Sequence, residues 1–351
     1  MADALQAAFE AIDKYVVDHS HEPLAGDLVQ VAKAKGLMFG YDHRWSSSGW
    51  RSVEVKQTFS LPIINPETSR SSRTYKFGGE QDGIVSFNGK NYLLEHKTSS
   101  EDISKADAPY WRRLEIDAQV SGYVLAEWQN GRKLEGTLYD VIRKPGIKPK
   151  QITKELAKEM QHSGTYYDAK VDTILGQGDI ELPEHYQHRL EAETIDSELA
   201  DWYFQRKVIY RMDNQMLEFA HELWQTADEI RLAALNDRHF RNSGACLAYN
   251  RACEYLGICS GHDNPDSGKW SRKAQIHEEL ETVDGDGRDL LTVSRMQCFR
   301  QCRRKHYYRY EMGIKSTKEE AEALFFGSMM HAGLAAWWLC QTPQPEVLQN
   351  V

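Results

Sequence analysis

Several things are scarce in this chain, and each absence narrows the field. No apolar run approaches the ~18 residues that a membrane span needs; one of the longest is the short stretch 333–340. The opening Met1-Ala-Asp-Ala4 has neither the basic region nor the apolar stretch of a secretory signal. A soluble, cytoplasmic protein without membrane association is expected. Ten prolines and 24 glycines among 351 residues are too few for a collagenous or low-complexity chain. Six cysteines in so long a chain, without a secretion signal, do not make a disulfide framework. Buried thiols or metal ligands are expected instead. An excess of basic charge is also missing: 43 Lys and Arg face 52 Asp and Glu, for a net charge of −9. Nucleic-acid binders usually carry a basic domain. Any such binding here must use local basic patches, or cations that offset the chain's own carboxylates.

What is present is ordinary globular material, 41% apolar and 27% charged. The length allows one large domain or two small ones. Apolar residues at helical spacing predict a helix over 4–19. Residues 50–59, 74–77 and 83–87 read as strands, 109–128 as a helix, and 137–143 as a further strand before Pro145, Gly146 and Pro149. Residues 194–235 read as one long amphipathic helical region, 260–290 as an Asp-, Gly- and Ser-rich linker, and 294–313 and 319–338 as helices. The order predicts an α/β fold with helices around a sheet.

The most informative stretch is Asp82-Gly-Ile-Val-Ser-Phe-Asn-Gly-Lys-Asn-Tyr-Leu-Leu-Glu95-His-Lys97. Asn88-Gly89 between two β-prone runs signals a hairpin, because a type I′ turn needs positive φ at both positions. A two-residue turn sets Phe87 opposite Lys90, Val85 opposite Tyr92 and Asp82 opposite Glu95. Side chains alternate, so Lys97 shares a face with Glu95. Two carboxylates directly opposite repel, and Leu93-Leu94 predict a covered strand in which an unbalanced pair costs several kcal/mol. A shared proton, the lysine or a cation must offset that. Asp82, Glu95 and the His96 carbonyl are hard oxygen donors suited to Mg²⁺. A cross-strand salt cluster on a solvated hairpin is the alternative. On 109–128, Arg112, Glu115, Gln119 and Tyr123 fall on one predicted helical stripe, which could hold a phosphate backbone or be a solvated face.

Gly79-x-x-Asp82 followed by Glu95-x-Lys97 resembles the PD-(D/E)XK nuclease signature. Gln119-x-x-x-Tyr123 is similar to the motif on the next helix in its RecB-like branch, which includes phage-type exonucleases, and 139–145 resembles the following strand. The resemblance implies a restriction-endonuclease-like core, a central mixed sheet flanked by helices, with an added helical part containing cysteines. It implies an exonuclease acting on DNA in recombination or repair, with a recombination or annealing protein as a candidate partner. Asp82, Glu95 and the His96 carbonyl would hold Mg²⁺ or Mn²⁺, Lys97 would handle the attacking water, and Gln119, Tyr123 and Arg112 would align the strand. The rivals are a non-catalytic nucleic-acid-binding module of the same fold and a structure-specific endonuclease.

Cys246-x6-Cys253-x5-Cys259 resembles the cysteine motif that ends many RecB-like domains and, with a distant fourth cysteine, holds a [4Fe–4S] cluster. Residues 294–310, with Cys302, resemble the opening of such a domain. So does Phe326-Gly-x-x-x-His331, whose histidine the resemblance makes a fourth metal ligand. These pieces precede the hairpin in the family and follow the last cysteine here. The chain therefore reads as one circularly permuted domain: residues 1–259 a core ending in the cysteine motif, 260–290 a linker, and 291–351 a segment returning to that core. A truncated second copy is the other reading. Zinc or plain thiols are the alternatives for Cys246, Cys253, Cys259 and Cys302. Cys298 could replace Cys302, and Cys340 is expected in the core. The basic run Arg300, Arg303, Arg304, Lys305 and Arg309 could track phosphates or be a solvated face.

Overall fold

In a computed structural model, residues 2–19, 25–248, 251–277, 280, 287–317 and 322–341 are described. Much of the expected linker's end and the last ten positions lie outside the described residues. The expected α/β architecture is present: a six-stranded mixed sheet flanked by helices.

The sheet is built on a meander. Strands β1 (Arg51–Ile64), β2 (Ser71–Phe87) and β3 (Lys90–Ser99) run antiparallel in sequence. Strand β4 (Thr137–Arg143) lies parallel to β3, which requires a crossover, and the helical stretch between them supplies it. Strand β5 (Phe204–Ile209) closes one edge antiparallel to β4, and the short β6 (Asp289–Leu291) pairs parallel with β2 at Tyr75, Lys76 and Phe77.

Three expectations change. Strand β2 is one continuous strand, although Gly78-Gly79 interrupts its apolar pattern. Gly79 serves close packing rather than a turn: a methyl group there would sit 3.0 Å from the Tyr123 ring and 3.1 Å from Phe59. The helix expected over 109–128 is broken into Pro109–Arg112, a tight turn at Arg113–Ile116, and α3 (Ala118–Gln129). The breaker is Asp117, whose carboxylate accepts from the Gln119 and Val120 amides at 2.9 and 3.0 Å and starts a new helix. Finally, 194–235 is not helical throughout. After helix α4 (Pro183–Ile195) and a short helix at Ser197–Tyr203 the chain becomes β5, and only then α5 (Asp213–Leu235). Pairing with β4 overrides a helical spacing that a short apolar run carries ambiguously.

The sheet's two faces are buried separately. On one, Val85, Leu94, Leu138 and Phe204 meet α1 (Ala2–His19), α2 (Ala25–Trp45) and α7 (Glu322–Leu339), with Ile12, Leu37, Tyr41, Met330 and Trp338 between them. On the other, Phe77 and Leu93 meet Tyr123, Phe219 and the helix α6 (Val293–Gln301). Leu93 and Leu94 thus point to opposite faces, and both are fully buried. The last described helix shares a core with the first, so the segment after residue 290 is part of the body that holds the hairpin. Among the described residues, no helix is long and apolar enough to cross a membrane.

Candidate active site

The hairpin forms in the expected register. Asn88 and Gly89 have φ of 50° and 74°, and Phe87↔Lys90, Val85↔Tyr92 and Gly83↔Leu94 are partners. The ladder stops there, one pair short of Asp82–Glu95. The register of β1 against β2 shifts between Ser52 and Glu54, and the Glu54 carbonyl presses against Gly83, where a Cβ would lie 2.3 Å from it. Beyond Gly83 strand β2 stays paired with β1, through Val55↔Gly83 and Gln57↔Gln81, and pairs no further with β3, which keeps β4 on its other side. The Asp82 carboxylate takes over, accepting from the His96 amide at 2.7 Å.

Around this parting the expected residues gather. Glu95 is 2% exposed; its Oε1 accepts from the Lys97 ammonium and from Gln119 Nε2 at 2.7 Å. His331, from α7, places Nδ1 3.1 Å from the other Asp82 oxygen. Gln119 also donates to the Tyr123 hydroxyl at 3.1 Å. Tyr123 is buried against Phe59, so it supports Gln119 from beneath and offers no open face for stacking. Gln119 and Tyr123 share a helix turn, whereas Arg112 belongs to a separate helix before the Asp117 break and is exposed. The expected Arg112–Gln119–Tyr123 stripe therefore does not exist.

One part of the setting escaped the sequence reading. His96, Asp140 and Arg206 are direct partners on β3, β4 and β5. Asp140 lies 3.3 Å from His96 Nδ1 and 3.1 Å from Arg206 Nε, with Asp140 and Arg206 buried. Tyr41 donates to Asp140, and accepts from Arg206 at 2.7 Å and from the Trp338 indole at 3.1 Å. The row ties α2 and α7 to the residue whose amide holds Asp82. It had no local signal, because its members are far apart in the chain.

The two acids separate electrostatically. Burial pushes Glu95 up to about 7, the Asp82 charge adds to this, and Lys97 opposes it. Burial would raise Asp82 too, but the His331 hydrogen bond and the charges of His331, His96 and Lys97 outweigh it and hold Asp82 well below the usual carboxylate range. Burial works against the Lys97 ammonium, yet Glu95 and Asp82 raise it above its ordinary value. Between the ordinary 4.5 and about 7 the folded protein holds a proton on Glu95 that the unfolded chain has released. Stability therefore falls as pH rises through that window. Asp82 acts the other way, and only as pH falls below the ordinary carboxylate range. Without divalent ions, raising the pH from 5 to 8 should cost wild type as much as about 3 kcal/mol more than Glu95→Gln. Parallel urea titrations of the two proteins test this, and an equal pH dependence in both would contradict it.

Two carboxylates and a main-chain carbonyl suit a hard divalent ion, and Glu95 Oε2 is a buried acceptor without a hydrogen-bond partner. The donor chemistry fits. The expected set Asp82, Glu95, His96 and His331 is nevertheless not assembled as a coordination shell. Among the described residues no three His, Cys, Asp or Glu form a group that could hold a metal ion. Asp82 spends its oxygens on His96 and His331, and Glu95 spends one on Lys97 and Gln119.

The same holds for the thiols. Cys246, Cys253, Cys259 and Cys302 line one cavity of about 20 Å³, and all are free. Cys302 Sγ accepts from the Asn242 amide at 3.4 Å, and Cys246 donates to the Asn242 carbonyl at 3.7 Å. Cys298 is buried, which raises its thiol to about 11. Cys340 is exposed, not in the core, because it follows the end of α7. The basic run is largely spent within the protein: Arg300 pairs with Glu222 at 2.9 Å, Arg303 with Glu229 at 2.7 Å, and Arg304 donates to the His239 carbonyl at 2.8 Å.

The segment that delivers His331 to Asp82 also decides the comparison. A family model of the PD-(D/E)XK nuclease superfamily matches residues 290–350. Members of that superfamily are usually metal-dependent nucleases, so the match suggests a nuclease. The Asp82–Lys97 hairpin lies outside the matched span, yet His331 within the span touches Asp82. Neither curated proteins nor solved structures gave a significant match.

Proposed function

We propose that this chain is a metal-dependent DNA nuclease of the RecB-like branch, an exonuclease of phage type used in recombination or repair. The observation that carries the proposal is the meeting of Asp82, Glu95 and Lys97 with His331 from the segment that matches the superfamily. A bound Mg²⁺ or Mn²⁺ would polarise the scissile phosphate and acidify water. Asp82, Glu95 and the His96 carbonyl would hold it, with His331 either joining them or orienting Asp82. Glu95 fixes the Lys97 ammonium, a cation ready for charge developing on phosphoryl oxygens. Gln119 in turn fixes Glu95, and the buried Tyr123 fixes Gln119. The test is release of nucleotides from linear DNA with added Mg²⁺ or Mn²⁺. Binding of DNA without cleavage would favour the non-catalytic module, and cutting of closed circular DNA the endonuclease.

Two further parts belong to this reading. The packing of α7 against α1 supports a permuted domain whose last helix completes the core begun by the first. In this reading Cys246, Cys253, Cys259 and Cys302, which line one small cavity, would hold a [4Fe–4S] cluster, with zinc as the alternative. Protein purified without oxygen should contain iron and absorb visible light. An iron-free, colourless preparation removes the cluster.

A further inference from the structure

Gln119 and Tyr123 face inward, which leaves open what holds DNA away from the reacting phosphate. The long β1–β2 hairpin supplies a candidate. Strand β2 pairs with β3 only from Gly83 to Phe87, so its first half runs past Asp82, alongside β1, to a turn at 65–70. That turn is fixed from within. Asn65 Oδ1 accepts from the Glu67 and Thr68 amides at 2.8 and 3.0 Å, and the Asn65 amide donates to the Arg70 carbonyl at 2.9 Å. Ser72 Oγ then accepts from the Tyr75 amide at 3.2 Å. Arg70 and Arg73 stand on this frame, exposed and with no ion pair among the described residues. Between the turn and α5 lies a cleft of about 570 Å³, lined by Arg70, Arg73, Arg231, Thr68 and Trp224. Its one described acid, Asp228, pairs with Arg231 at 2.8 Å, and both side chains are exposed. Such a pair is worth about 0–1 kcal/mol, so a phosphate can take the guanidinium from it. Glu67 lies on the turn but not on the cleft wall. Three guanidiniums against one carboxylate, with hydroxyls among them, suit the sugar–phosphate backbone of a nucleic acid.

The cleft lies on the same face of the sheet as the Glu95 and Lys97 side chains. Tyr75 and Phe77 share one buried cluster with Leu93 and Ala227, and Trp224 packs against it. Side chains alternate along a strand, so Arg73 falls on the face of Tyr75 and Phe77, and Glu95 and Lys97 on the face of Leu93. Arg73 and Asp82 are nine positions apart on β2, roughly 30 Å of extended chain. One turn of duplex DNA is about 34 Å long. A duplex laid along β2 therefore brings its backbone to this face at the acids and again, about one turn away, at the arginines.

We propose that this cleft binds the backbone of duplex DNA about one helical turn from the scissile phosphate. The inference rests on the nuclease reading and adds to it a duplex-binding subsite. The first test is fluorescence anisotropy of the full chain with a labelled duplex of about two helical turns, in EDTA and at several salt concentrations. Arg70→Ala with Arg73→Ala should weaken binding and flatten the slope of log affinity against log salt by about 1.8, or roughly 0.9 per lost contact. Arg73→Ala alone, at an exposed position, should flatten it by about 0.9 and stands in if the double variant does not fold. The second test is cleavage with added Mg²⁺ or Mn²⁺. The double variant should raise KM for the same duplex with kcat unchanged, and should cut a stem-loop of about half a turn, too short to reach from the acids to the arginines, as wild type does. A folded variant with wild-type affinity and slope, or an equal loss of cleavage on both substrates, would overturn the cleft and leave the nuclease reading intact. So would binding of polyglutamate that the variant loses while its DNA binding stays, which would assign the cleft to an acidic protein. A wild type that neither binds nor cuts DNA would overturn both.

Discussion

Lys97→Ala should lower divalent-dependent DNA cleavage by about 10²- to 10³-fold, the usual effect of removing one preorganised group that stabilises developing charge. The protein should still fold. Removing the ammonium takes away the one neighbour that strongly opposes the raised Glu95 carboxyl, while burial and Asp82 continue to raise it. Glu95 then keeps its proton at neutral pH and does not remain a buried, unpaired anion. Two losses follow from one substitution: the cation beside the phosphate and the negative charge that attracts the metal. Lys97→Arg should restore little, because a planar fork does not replace a compact ammonium at this spot. Cleavage rates measured beside circular dichroism settle the matter. A folded Lys97→Ala that cuts as fast as wild type would remove Lys97 from the mechanism.

Arg206→Ala should destabilise the protein by about 3–5 kcal/mol, the usual cost of removing one partner from a buried ion pair. Asp140 has 1% of its side chain exposed, and Arg206 has 5%. Arg206 charge, His96 and Tyr41 hold Asp140 down at about 2 against a burial effect that raises it. Without the guanidinium, a carboxylate enclosed by Tyr41, His96 and the sheet must be protonated or stay unpaired. Arg206→Met with Asp140→Leu should recover most of the loss, since apolar replacement of a whole buried pair is often close to neutral. Urea midpoints for the single and double variants test this. A wild-type midpoint for Arg206→Ala would show that the row does not hold the sheet together.

The hairpin was legible because its determinants are local. Asn88-Gly89 dictates the reversal, and the reversal dictates the register through Gly83↔Leu94. The next pair was missed because β2 there packs closely against β1, at the Glu54 carbonyl, which the turn does not reveal. Asp117 looked like one more polar residue on a helix, yet its side chain competes for backbone amides and starts a new element. Arg300 and Arg303 looked like a phosphate track because their partners, Glu222 and Glu229, lie far away in sequence on α5.

Amino-acid order alone determined the pieces whose physics acts over a few residues: the Asn-Gly reversal, the covered Leu93-Leu94 strand, the adjacency of Glu95 and Lys97, and the amphipathic first helix. Tertiary structure decided what each acid and base meets. It set Asp82 under His331, Glu95 under Gln119, and Asp140 between His96 and Arg206. Hydrogen bonds and ion pairs act over a few ångströms in space, however many residues separate their partners in the chain.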